Sequence, residues 1–430
     1  MKICIIGAGS TYTPELIEGL INKRATLPVS ELYLMDIDER KLTIVGGLAK
    51  RMVEHAELPC KVVLTMDYEE ALTGADFVLA QIRVGKLPAR QKDERIPLKY
   101  GLIGQETCGM GGMFKAFRTV PAMLKIVSIM EKCCPNAWLI NFSNPSGLIA
   151  QALLNHTNVK MMGLCNVPIN MIDGIKRRLN LPNAQVEYIG LNHFTYVTSI
   201  MDNGKDYLNE ALEAGVNSEA MKNIPASGFS AEQIKAIGGI PSSYLEYYYL
   251  HDSKLEKLKH AEKCRAEVCM DLEEQLLELY QQPTLYTKPE QLSKRGGARY
   301  SEVAVNLVNA IYNDLQEVHV VNVLNHGALD FLRDDDAIEI QAVIGKDGAK
   351  PIKATHVNSE HMKEYIQMIK AYERHAVNAA ITGDKEEAIR AMVMNPLMSD
   401  LNTSMACFEE MLEAHKEYLP QFFPKKDEEK

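Results

Sequence analysis

The N-terminal segment constrains the fold of this chain more than any other stretch. Lys2–Ser10 has the pattern of a short apolar strand ending in a glycine-rich turn, and Thr13-Pro14 is typical of a helix start with Thr13 as the N-cap. A second apolar strand, Glu31–Asp36, ends in a carboxylate. Strand, turn, helix and strand in this order indicate a Rossmann-like nucleotide-binding unit, although Tyr12 replaces the third glycine of Gly-x-Gly-x-x-Gly.

The turn and the terminal acid of this unit predict its cofactor. Free backbone N–H groups at the helix start favour a phosphate over Gly7 and Gly9, where Ser10 and Thr11 continue the turn. The Asp36 carboxylate can accept both ribose hydroxyls and would repel a 2′-phosphate. We therefore expect these five residues to bind NAD rather than NADP.

The alternation of strand and helix patterns continues to about residue 142. The apolar strands are Val62–Thr65, Phe77–Ile82 and Ala137–Phe142, and helical patterns at Tyr68–Thr73 and Val120–Cys133 lie between them. This order is typical of a parallel sheet. A long polar, glycine-rich segment, Arg83–Arg118, is predicted to be a loop that forms a lid or a wall of a site.

The pattern changes after His193 and becomes mostly helical. Helical periodicity runs over Lys205–Gln282, Tyr300–Leu315 and Ser359–Tyr418, with short strands at Val318–Val323 and Ala337–Ile344. We predict a nucleotide domain over residues 1–165 and, over residues 166–430, a mostly helical α+β lobe for metal, substrate and oligomerisation. The tail Lys425–Lys430 is predicted to be frayed and solvated.

Composition restricts the classes of function. Among 430 residues, 46% are hydrophobic and 24% are charged, as in globular proteins with two lobes. The net charge of −10 argues against a nucleic-acid partner, and no apolar run reaches the length of about 20 residues that a membrane span needs. We expect no signal peptide, because Lys2 leads straight into a strand. Nine cysteines without the spacing of a disulfide-rich domain predict a cytoplasmic protein.

A cysteine and a histidine at two predicted strand ends form a candidate metal site. Cys165 follows the apolar residues Met161–Leu164, and His193 follows Tyr188–Asn192. Thiolate and imidazole are both ligands for divalent metals. Two residues alone are a weak signal, because a buried cysteine is commonly a core residue and a histidine at a strand end is commonly hydrogen-bonded. This pattern alone leaves both interpretations open.

Taken together, the motifs resemble glycoside hydrolase family 4, the NAD- and metal-dependent 6-phosphoglycosidases. The resemblance implies a lactate/malate dehydrogenase-like α/β fold, a parallel Rossmann-like sheet with a mostly helical second lobe. The matching segments follow one order along the chain: Gly7–Glu15, Arg83–Gly85, Gly104–Gly109, Asn141–Pro145, Cys165–Pro168, Gly190–His193, Pro241–Tyr249, Arg265–Val268 and Lys294–Gly297.

The family resemblance implies a redox route to glycoside cleavage, not a carboxylate pair. NAD⁺ takes a hydride from C3 of the sugar, and the resulting ketone makes the C2 proton acidic. A divalent metal, usually Mn²⁺, polarises the C2 and C3 oxygens. A base removes the C2 proton, the aglycone leaves from C1, water adds, and the hydride returns.

The resemblance also implies roles for individual residues. Cys165 and His193 hold the metal, with sugar oxygens and water as further ligands. Tyr244 is the C2 base, and Glu106 could accept its proton. The 6-phosphate and sugar are expected to contact Arg90, Asn144 and Arg265, while Arg83 and Arg295 rank below them. The neighbouring tyrosines Tyr247, Tyr248 and Tyr249 are expected to pack.

Asn166 bears on the choice of anomer. The α-specific members carry an aspartate directly after the metal-binding cysteine, where it can protonate the leaving oxygen. Asn166 occupies that position here, and an amide cannot act as an acid. The resemblance therefore implies a 6-phospho-β-glucosidase acting on disaccharides such as cellobiose 6-phosphate, with no general acid identified. Alternatively, Asn166 only holds the turn before Pro168, and the helical lobe selects the anomer.

Three other functions compete with this one. A 6-phospho-α-glucosidase or another family 4 glycosidase would share most of the motifs. A 2-hydroxy-acid dehydrogenase would have a related fold, but it needs a catalytic histidine with an aspartate partner and no thiolate metal ligand. An NAD-binding sensor would have no use for Cys165, His193 and Tyr244 together. We expect a phosphorylated disaccharide substrate and a homodimer or homotetramer.

Overall fold

The computed structural model describes residues 1–216, 228–295, 299–398 and 400–423. Its strands are β1 Lys2–Ile6, β2 Glu31–Met35, β3 Lys61–Thr65, β4 Phe77–Ala80, β5 Trp138–Asn141, β6 Lys160–Gly163, β7 Gln185–Leu191, β8 Phe194–Asp202, β9 Lys205–Asp206, β10 Ile240–Pro241, β11 Glu317–Leu324, β12 Ala337–Gly345 and β13 Gly348–Pro351. The predicted strands all appear, and most of their ends lie within two residues of the predicted ones.

Helices follow most of these strands. The α-helices are α1 Thr13–Asn22, α2 Glu39–His55, α3 Tyr68–Leu72, α4 Lys86–Lys99, α5 Gly109–Cys133, α6 Ser146–His156, α7 Val167–Leu179, α8 Leu208–Glu213, α9 Ala231–Ile237, α10 Glu246–Tyr249, α11 His251–Lys259, α12 Arg265–Tyr280, α13 Tyr300–Tyr312, α14 Glu360–Thr382, α15 Lys385–Met394 and α16 Leu401–Ala414. Short 3₁₀ helices span Ser243–Leu245, Glu290–Arg295, Pro396–Met398, Lys416–Tyr418 and Pro420–Phe422.

A nine-stranded sheet forms the centre of the molecule. Its order is β13-β12-β11-β6-β5-β4-β1-β2-β3, and the six strands from β6 to β3 are parallel. These strands are short apolar runs, and Ile3 to Ile6 of β1 are fully buried, because helices cover both faces of a parallel sheet. The strand order 3-2-1-4-5-6 is that of a Rossmann fold, which binds ligands beyond the carboxyl ends of its strands. The predicted fold class is confirmed.

The C-terminal half of the chain extends this sheet. Strands β11, β12 and β13 join it in antiparallel pairing next to β6. A second, four-stranded sheet contains β10, β8 and β7 in that order, with β9 paired to β8. Both predicted domains thus contribute to one large sheet, and the boundary at residues 165/166 stays a prediction.

Two predictions of local structure were wrong. The N-cap of α1 is Tyr12 rather than Thr13, because the Thr13 hydroxyl lies inside the turn and donates to the carbonyl of Ala8 at 2.8 Å. The segment Arg83–Arg118 is not a loop, since α4 and the first part of α5 occupy most of it. Its glycines allow the helix start to pack tightly: a Cβ on Gly111 would lie 2.3 Å from a backbone oxygen.

Two further predictions concern membrane spans and the C-terminal tail. Across the described ranges, no helix is both long and apolar enough to cross a membrane. The tail Lys425–Lys430 lies outside the described residues, as do the last two glycines of the segment Lys294–Gly297.

Candidate active site

A cavity of about 810 Å³ runs along the carboxyl ends of the parallel strands. One end is formed by the glycine turn after β1 and by Asp36 after β2. The other end is formed by His193 in the β7–β8 turn and by Tyr244 in a 3₁₀ helix. The expected nucleotide site and the expected sugar site are therefore two ends of one cavity.

Backbone geometry shapes the nucleotide end. Gly7 has a φ of +83°, and an added Cβ would lie 2.7 Å from the carbonyl oxygen of Gln81. A Cβ on Gly9 would lie 2.9 Å from Asp36 Oδ2. Glycine is thus required at both positions, as in a turn that lets a pyrophosphate approach the backbone. The cavity walls fit the cofactor that the sequence predicts.

Asp36 has a structural role as well as the expected ribose contact. Its Oδ2 accepts the N–H of Gly9 at 2.8 Å, and its Oδ1 accepts the N–H of Asp38 at 2.9 Å. Burial raises the pKa of the carboxyl, and these two backbone hydrogen bonds oppose the shift. Each oxygen keeps a second lone pair for a ribose hydroxyl.

Four of the five predicted nucleotide residues line the cavity: Gly7, Gly9, Ser10 and Asp36. Thr11 is fully buried behind this wall. Its carbonyl oxygen accepts the hydroxyl of Tyr280 at 2.7 Å, and its own hydroxyl contacts Arg295. Thr11 therefore ties the turn to the second half of the chain.

At the sugar end, two aromatic rings lie face to face. The ring centroids of His193 and Tyr244 are 4.1 Å apart, with an interplanar angle of 12°. Burial lowers the pKa of His193 to about 3, so the imidazole is neutral, the form that ligates metals. Burial also raises the pKa of Tyr244 well above its usual value of 10. Tyr244 is a neutral phenol unless a positive charge binds nearby.

Cys165 lies between β6 and α7 and is 3% exposed. Its sulfur accepts the N–H of Val167 at 3.5 Å, at the start of α7, and it is hydrogen-bonded by the Asn192 side chain. Burial raises the pKa of the thiol well above 9, with a further contribution from Glu339. A bound divalent cation would reverse this shift, because metal ligation requires the thiolate.

The donor set near Cys165 and His193 fits a substrate-assisted metal site. No group of three or more His, Cys, Asp and Glu side chains that could hold a metal occurs in the described part of the chain. A thiolate and a neutral imidazole therefore leave coordination positions open for neutral oxygen ligands. Sugar oxygens and water in the cavity would supply them, as oxygen ligands suit Mn²⁺.

A cluster of charges borders the same end of the cavity. Glu106 accepts hydrogen bonds from Arg83 at 2.5 Å and Lys115 at 2.7 Å, and its other oxygen lies 2.9 Å from Arg90. Burial alone would raise the pKa of Glu106, but the three cations hold it well below 4.5. Glu106 therefore has little tendency to accept a proton from Tyr244. The geometry favours a different role, an anion that fixes three cations beside the cavity.

All three predicted substrate residues line the cavity. Arg90 is paired with Glu94 at 2.7 Å as well as with Glu106. Arg265 donates to the carbonyl oxygen of Arg295 at 2.5 Å, and Asn144 lies in the turn after β5. The lower-ranked Arg83 and Arg295 also line the cavity.

Comparison with known proteins identifies the family. The model of the family 4 glycosyl hydrolases matches residues 2–181, and the model of the family 4 C-terminal domain matches residues 188–398. This chain is a family 4 glycosyl hydrolase.

Relatives of this glycosyl hydrolase span its whole length. A Bacillus subtilis protein named as a probable 6-phospho-beta-glucosidase is 47% identical over 99% of this chain and 98% of its own. The 6-phospho-beta-glucosidase of Escherichia coli is 41% identical over 98% and 97% of the two chains. The structure of the Thermotoga maritima 6-phospho-beta glucosidase with manganese, NAD⁺ and glucose-6-phosphate has a TM-score of 0.87 at 33% identity, covering 97% and 99%.

A more distant neighbour bears on the fold alone. A lactate dehydrogenase from a deep-sea metagenome is 16% identical with a TM-score of 0.54, and it covers 88% of this glycosyl hydrolase. The expected likeness to lactate dehydrogenases is thereby confirmed at the level of the fold.

The sequence alone did not single out two buried groups of this glycosyl hydrolase. Lys115 lines the cavity, and burial lowers its pKa to about 7. Glu339 is 1% exposed, and burial raises its pKa to about 7. The available signal was a charged residue inside an apolar run, as in Met113-Phe-Lys-Ala-Phe117 and Ala337-Ile-Glu-Ile340. The tyrosines behave as expected: the Tyr248 ring packs edge-on against Phe194 at 4.9 Å.

Proposed function

We propose that this protein is a 6-phospho-β-glucosidase that needs NAD and a divalent metal. The observation that carries this proposal is the single cavity that joins the turn at Gly7 and Gly9 to the stacked pair His193 and Tyr244. The printed names of the full-length relatives support the same substrate class. A related structure holding manganese, NAD⁺ and glucose-6-phosphate supports the cofactors.

The roles of the cofactors follow from the two ends of the cavity. When bound, NAD⁺ supplies hydride transfer at C3 of the sugar, and the divalent ion at Cys165 and His193 supplies polarisation of the C2 and C3 oxygens. Gly7, Gly9 and Asp36 orient the dinucleotide. Cys165 is buried next to the lining residue Asn166, and it would hold the metal together with His193.

Tyr244 is the residue that we assign to the C2 proton. Its ring is stacked on that of His193, with centroids 4.1 Å apart, so Tyr244 lies beside one of the two expected metal ligands. Burial stabilises the neutral phenol, and a divalent charge beside it favours the phenolate. Tyr244 therefore becomes a base mainly in the loaded enzyme, and general base catalysis of this kind contributes about 10²–10⁴-fold to rate.

The cations of the cavity are assigned to the 6-phosphate and its surroundings. Arg265 and Asn144 line the cavity wall, and the hydrogen bonds that they donate go to the backbone carbonyls of Arg295 and Phe142 rather than to carboxylates. Arg90, Arg83 and Lys115 surround Glu106, and the cluster keeps a net positive charge. A dianionic phosphate is attracted to such a wall.

Anomer selection is assigned to Asn166, which lines the cavity directly after Cys165. An amide at this place can donate a hydrogen bond to the glycosidic oxygen but cannot protonate it. A substrate whose leaving group departs on the opposite face does not need an acid here. We therefore propose the β anomer, with phosphorylated β-disaccharides such as cellobiose 6-phosphate as substrates.

Initial rates on the two anomers of p-nitrophenyl 6-phosphoglucoside test this function. With NAD⁺ and Mn²⁺ saturating, we expect p-nitrophenol release from the β anomer without net formation of NADH. A faster rate on the α anomer would refute the anomer, and NADH formed in step with product would instead indicate a dehydrogenase. Asn166→Asp should move the preference toward the α anomer, and an unchanged preference would remove Asn166 as its cause.

We also propose a cytoplasmic location and a homo-oligomeric assembly. The nine cysteines are all free, which suits a reducing cytoplasm. A homodimer or homotetramer is the assembly that we propose. Light scattering on the purified protein would test it, and a monomer at micromolar concentration would exclude it.

A further inference from the structure

A buried carboxylate that the proposed reaction does not use lies next to the metal site. Glu339 is in the middle of β12 and is 1% exposed. Its Oε1 accepts hydrogen bonds from Asn192 at 2.9 Å and Asn322 at 3.1 Å, and its Oε2 accepts the hydroxyl of Tyr188 at 3.3 Å. Every one of these donors is a neutral side chain.

The register of the large sheet places Glu339 beside the strand that leads to Cys165. Glu339 lies opposite Asn322 of β11, and Asn322 lies opposite Gly163 of β6. A Cβ on Gly163 would come within 2.9 Å of the Asn322 Cβ, so glycine at this position allows β6 and β11 to approach each other closely. Gly163 lies two residues before Cys165.

Asn192 connects the carboxylate to both expected metal ligands. Its amide donates to Glu339 and hydrogen-bonds the Cys165 thiol. Asn192 also directly precedes His193 in the β7–β8 turn, where His193 has a φ of +65°. A shift of the Asn192 side chain would therefore change its hydrogen bond to the Cys165 thiol, next to the turn that carries His193.

The Glu339 carboxylate has no cation paired with it among the described residues. Glu373, a carboxylate that is itself paired with Lys370, helps to raise the pKa of Glu339. A buried carboxylate without a cation is costly even when it is hydrogen-bonded. A divalent ion beside Cys165 would supply the missing positive charge.

We propose that Glu339 is a positioning residue of the metal site, acting through Asn192 to orient the Cys165 thiolate and adding negative charge that strengthens binding of the divalent ion. This inference rests on the proposed metal role of Cys165 and His193. Partners of this kind behind a metal ligand typically change metal affinity by about 10–100-fold.

Glu339→Gln is the variant of choice because it removes the charge and keeps the shape. The amide oxygen can still accept from Asn192 and Asn322, and the amide nitrogen can donate to the Tyr188 hydroxyl, which can turn its own hydrogen to Thr195 at 2.7 Å. Binding of Mn²⁺ is measured directly from the electron paramagnetic resonance signal of the free ion. We expect the Mn²⁺ affinity to fall by about 10–100-fold, with the NAD affinity unchanged and the thermal stability of the metal-free protein not lowered.

Glu187→Gln is the matched control. Glu187 lies at the other end of β7 and accepts several neutral donors, such as Thr198 at 2.8 Å. Its loss should leave the Mn²⁺ affinity unchanged. Equal Mn²⁺ affinity of Glu339→Gln and the unmodified enzyme would overturn the inference.

Asn192→Ala provides a second route in case Glu339→Gln folds poorly, because Asn192 is only partly buried. It should weaken Mn²⁺ binding in the same way and shift the thiolate-to-metal absorption band of the Co²⁺-loaded protein. The double variant should lose no more affinity than the weaker-binding single variant, since both act along one path. Additive losses or an unshifted band would contradict a path through Asn192.

The outcomes separate this inference from the proposed function. If the unmodified protein binds no Mn²⁺, or if Cys165→Ser binds it as tightly, the metal site itself is wrong. If the unmodified protein binds Mn²⁺ through Cys165 and Glu339→Gln binds it equally well, only the role of Glu339 is wrong.

Discussion

The two ends of the cavity are built in different ways. The nucleotide end is formed by the ends of two neighbouring strands within the first 36 residues, where Gly7 and Gly9 leave room for a ligand and Asp36 accepts the backbone N–H of Gly9. The sugar end is assembled from side chains far apart in sequence, with His193 stacked on Tyr244 and cations gathered around Glu106. Backbone geometry dominates one end and buried electrostatics the other, so the loss of a polar side chain should lower activity far more at the sugar end.

Metal removal should have the largest effect. Chelation should abolish activity, and Mn²⁺ should restore it best with a reductant, because oxidised Cys165 cannot ligate. Cys165→Ser should behave like the chelated enzyme when p-nitrophenol release is measured. Cys60→Ser, a partly buried free cysteine, is the control. Full activity of Cys165→Ser without added metal would exclude the site.

Proton release on metal binding sharpens the same prediction. Burial lowers the pKa of His193 to about 3 and raises the pKa of the Cys165 thiol well above 9. At about pH 8, His193 is therefore already neutral, whereas the Cys165 thiol is still protonated. Calorimetry in buffers of different ionisation enthalpy should therefore show about one proton released per Mn²⁺. Binding without proton release would mean that Cys165 is not a ligand.

Tyr244→Phe should lower kcat by about 10²–10⁴-fold, because it removes the base and leaves the stack on His193 intact. The matched control is Tyr247→Phe, whose ring centroid lies 6.2 Å from that of Tyr244 but outside the cavity lining. Steady-state kinetics on the β anomer measure both. A Tyr244→Phe enzyme within a few-fold of the unmodified one would exclude Tyr244 as the base.

Arg265→Met should reduce kcat/KM by about 10–100-fold on the phosphorylated substrate, the usual cost of a lost charged hydrogen bond. The kcat/KM on the non-phosphorylated glucoside should stay as low as in the unmodified enzyme. The preference for the phosphorylated over the non-phosphorylated substrate should therefore decrease. Arg24→Met is the control, since Arg24 is exposed, follows the end of α1 and does not line the cavity. An unmodified enzyme that hydrolyses both glucosides equally fast would contradict the phosphate requirement.

The nucleotide end should give the smallest change. NADH should bind more tightly than NADPH, and Asp36→Asn should reduce the ratio of the two affinities by about fivefold, since a partly exposed charge contact is worth about 1 kcal/mol. Fluorescence titration of the reduced cofactors measures both affinities. Equal affinity of the unmodified protein for the two cofactors would overturn the role of Asp36.

The contrast between the two ends also explains what the sequence could predict. Strands β1 and β2 and the glycine turn are local patterns, and they appear within one residue of their predicted ends. The segment Arg83–Arg118 was mistaken for a loop because its glycines and charges are typical of loops. In the structure these glycines serve close packing, with a Cβ on Gly112 only 2.4 Å from the backbone of Thr107.

The sugar end could be predicted only through the family resemblance. Lys115 and Glu339 acquire their settings from the fold, since their partners come from other strands and helices. The low pKa of Glu106 likewise depends on three cations that the sequence does not place together. Spacing along the chain carries no information about such clusters, whereas the pairing of β6, β11 and β12 creates one of them.

The most direct test of the central claim, that one cavity couples oxidation at C3 to proton removal at C2, is hydrolysis in D₂O followed by NMR of the released glucose 6-phosphate. The account predicts deuterium at C2, because the proton taken by Tyr244 exchanges with solvent in the cavity. It predicts none at C3, because the hydride returns from the bound cofactor. Product without deuterium at C2 would contradict it, since direct displacement at C1 leaves the C2 hydrogen in place.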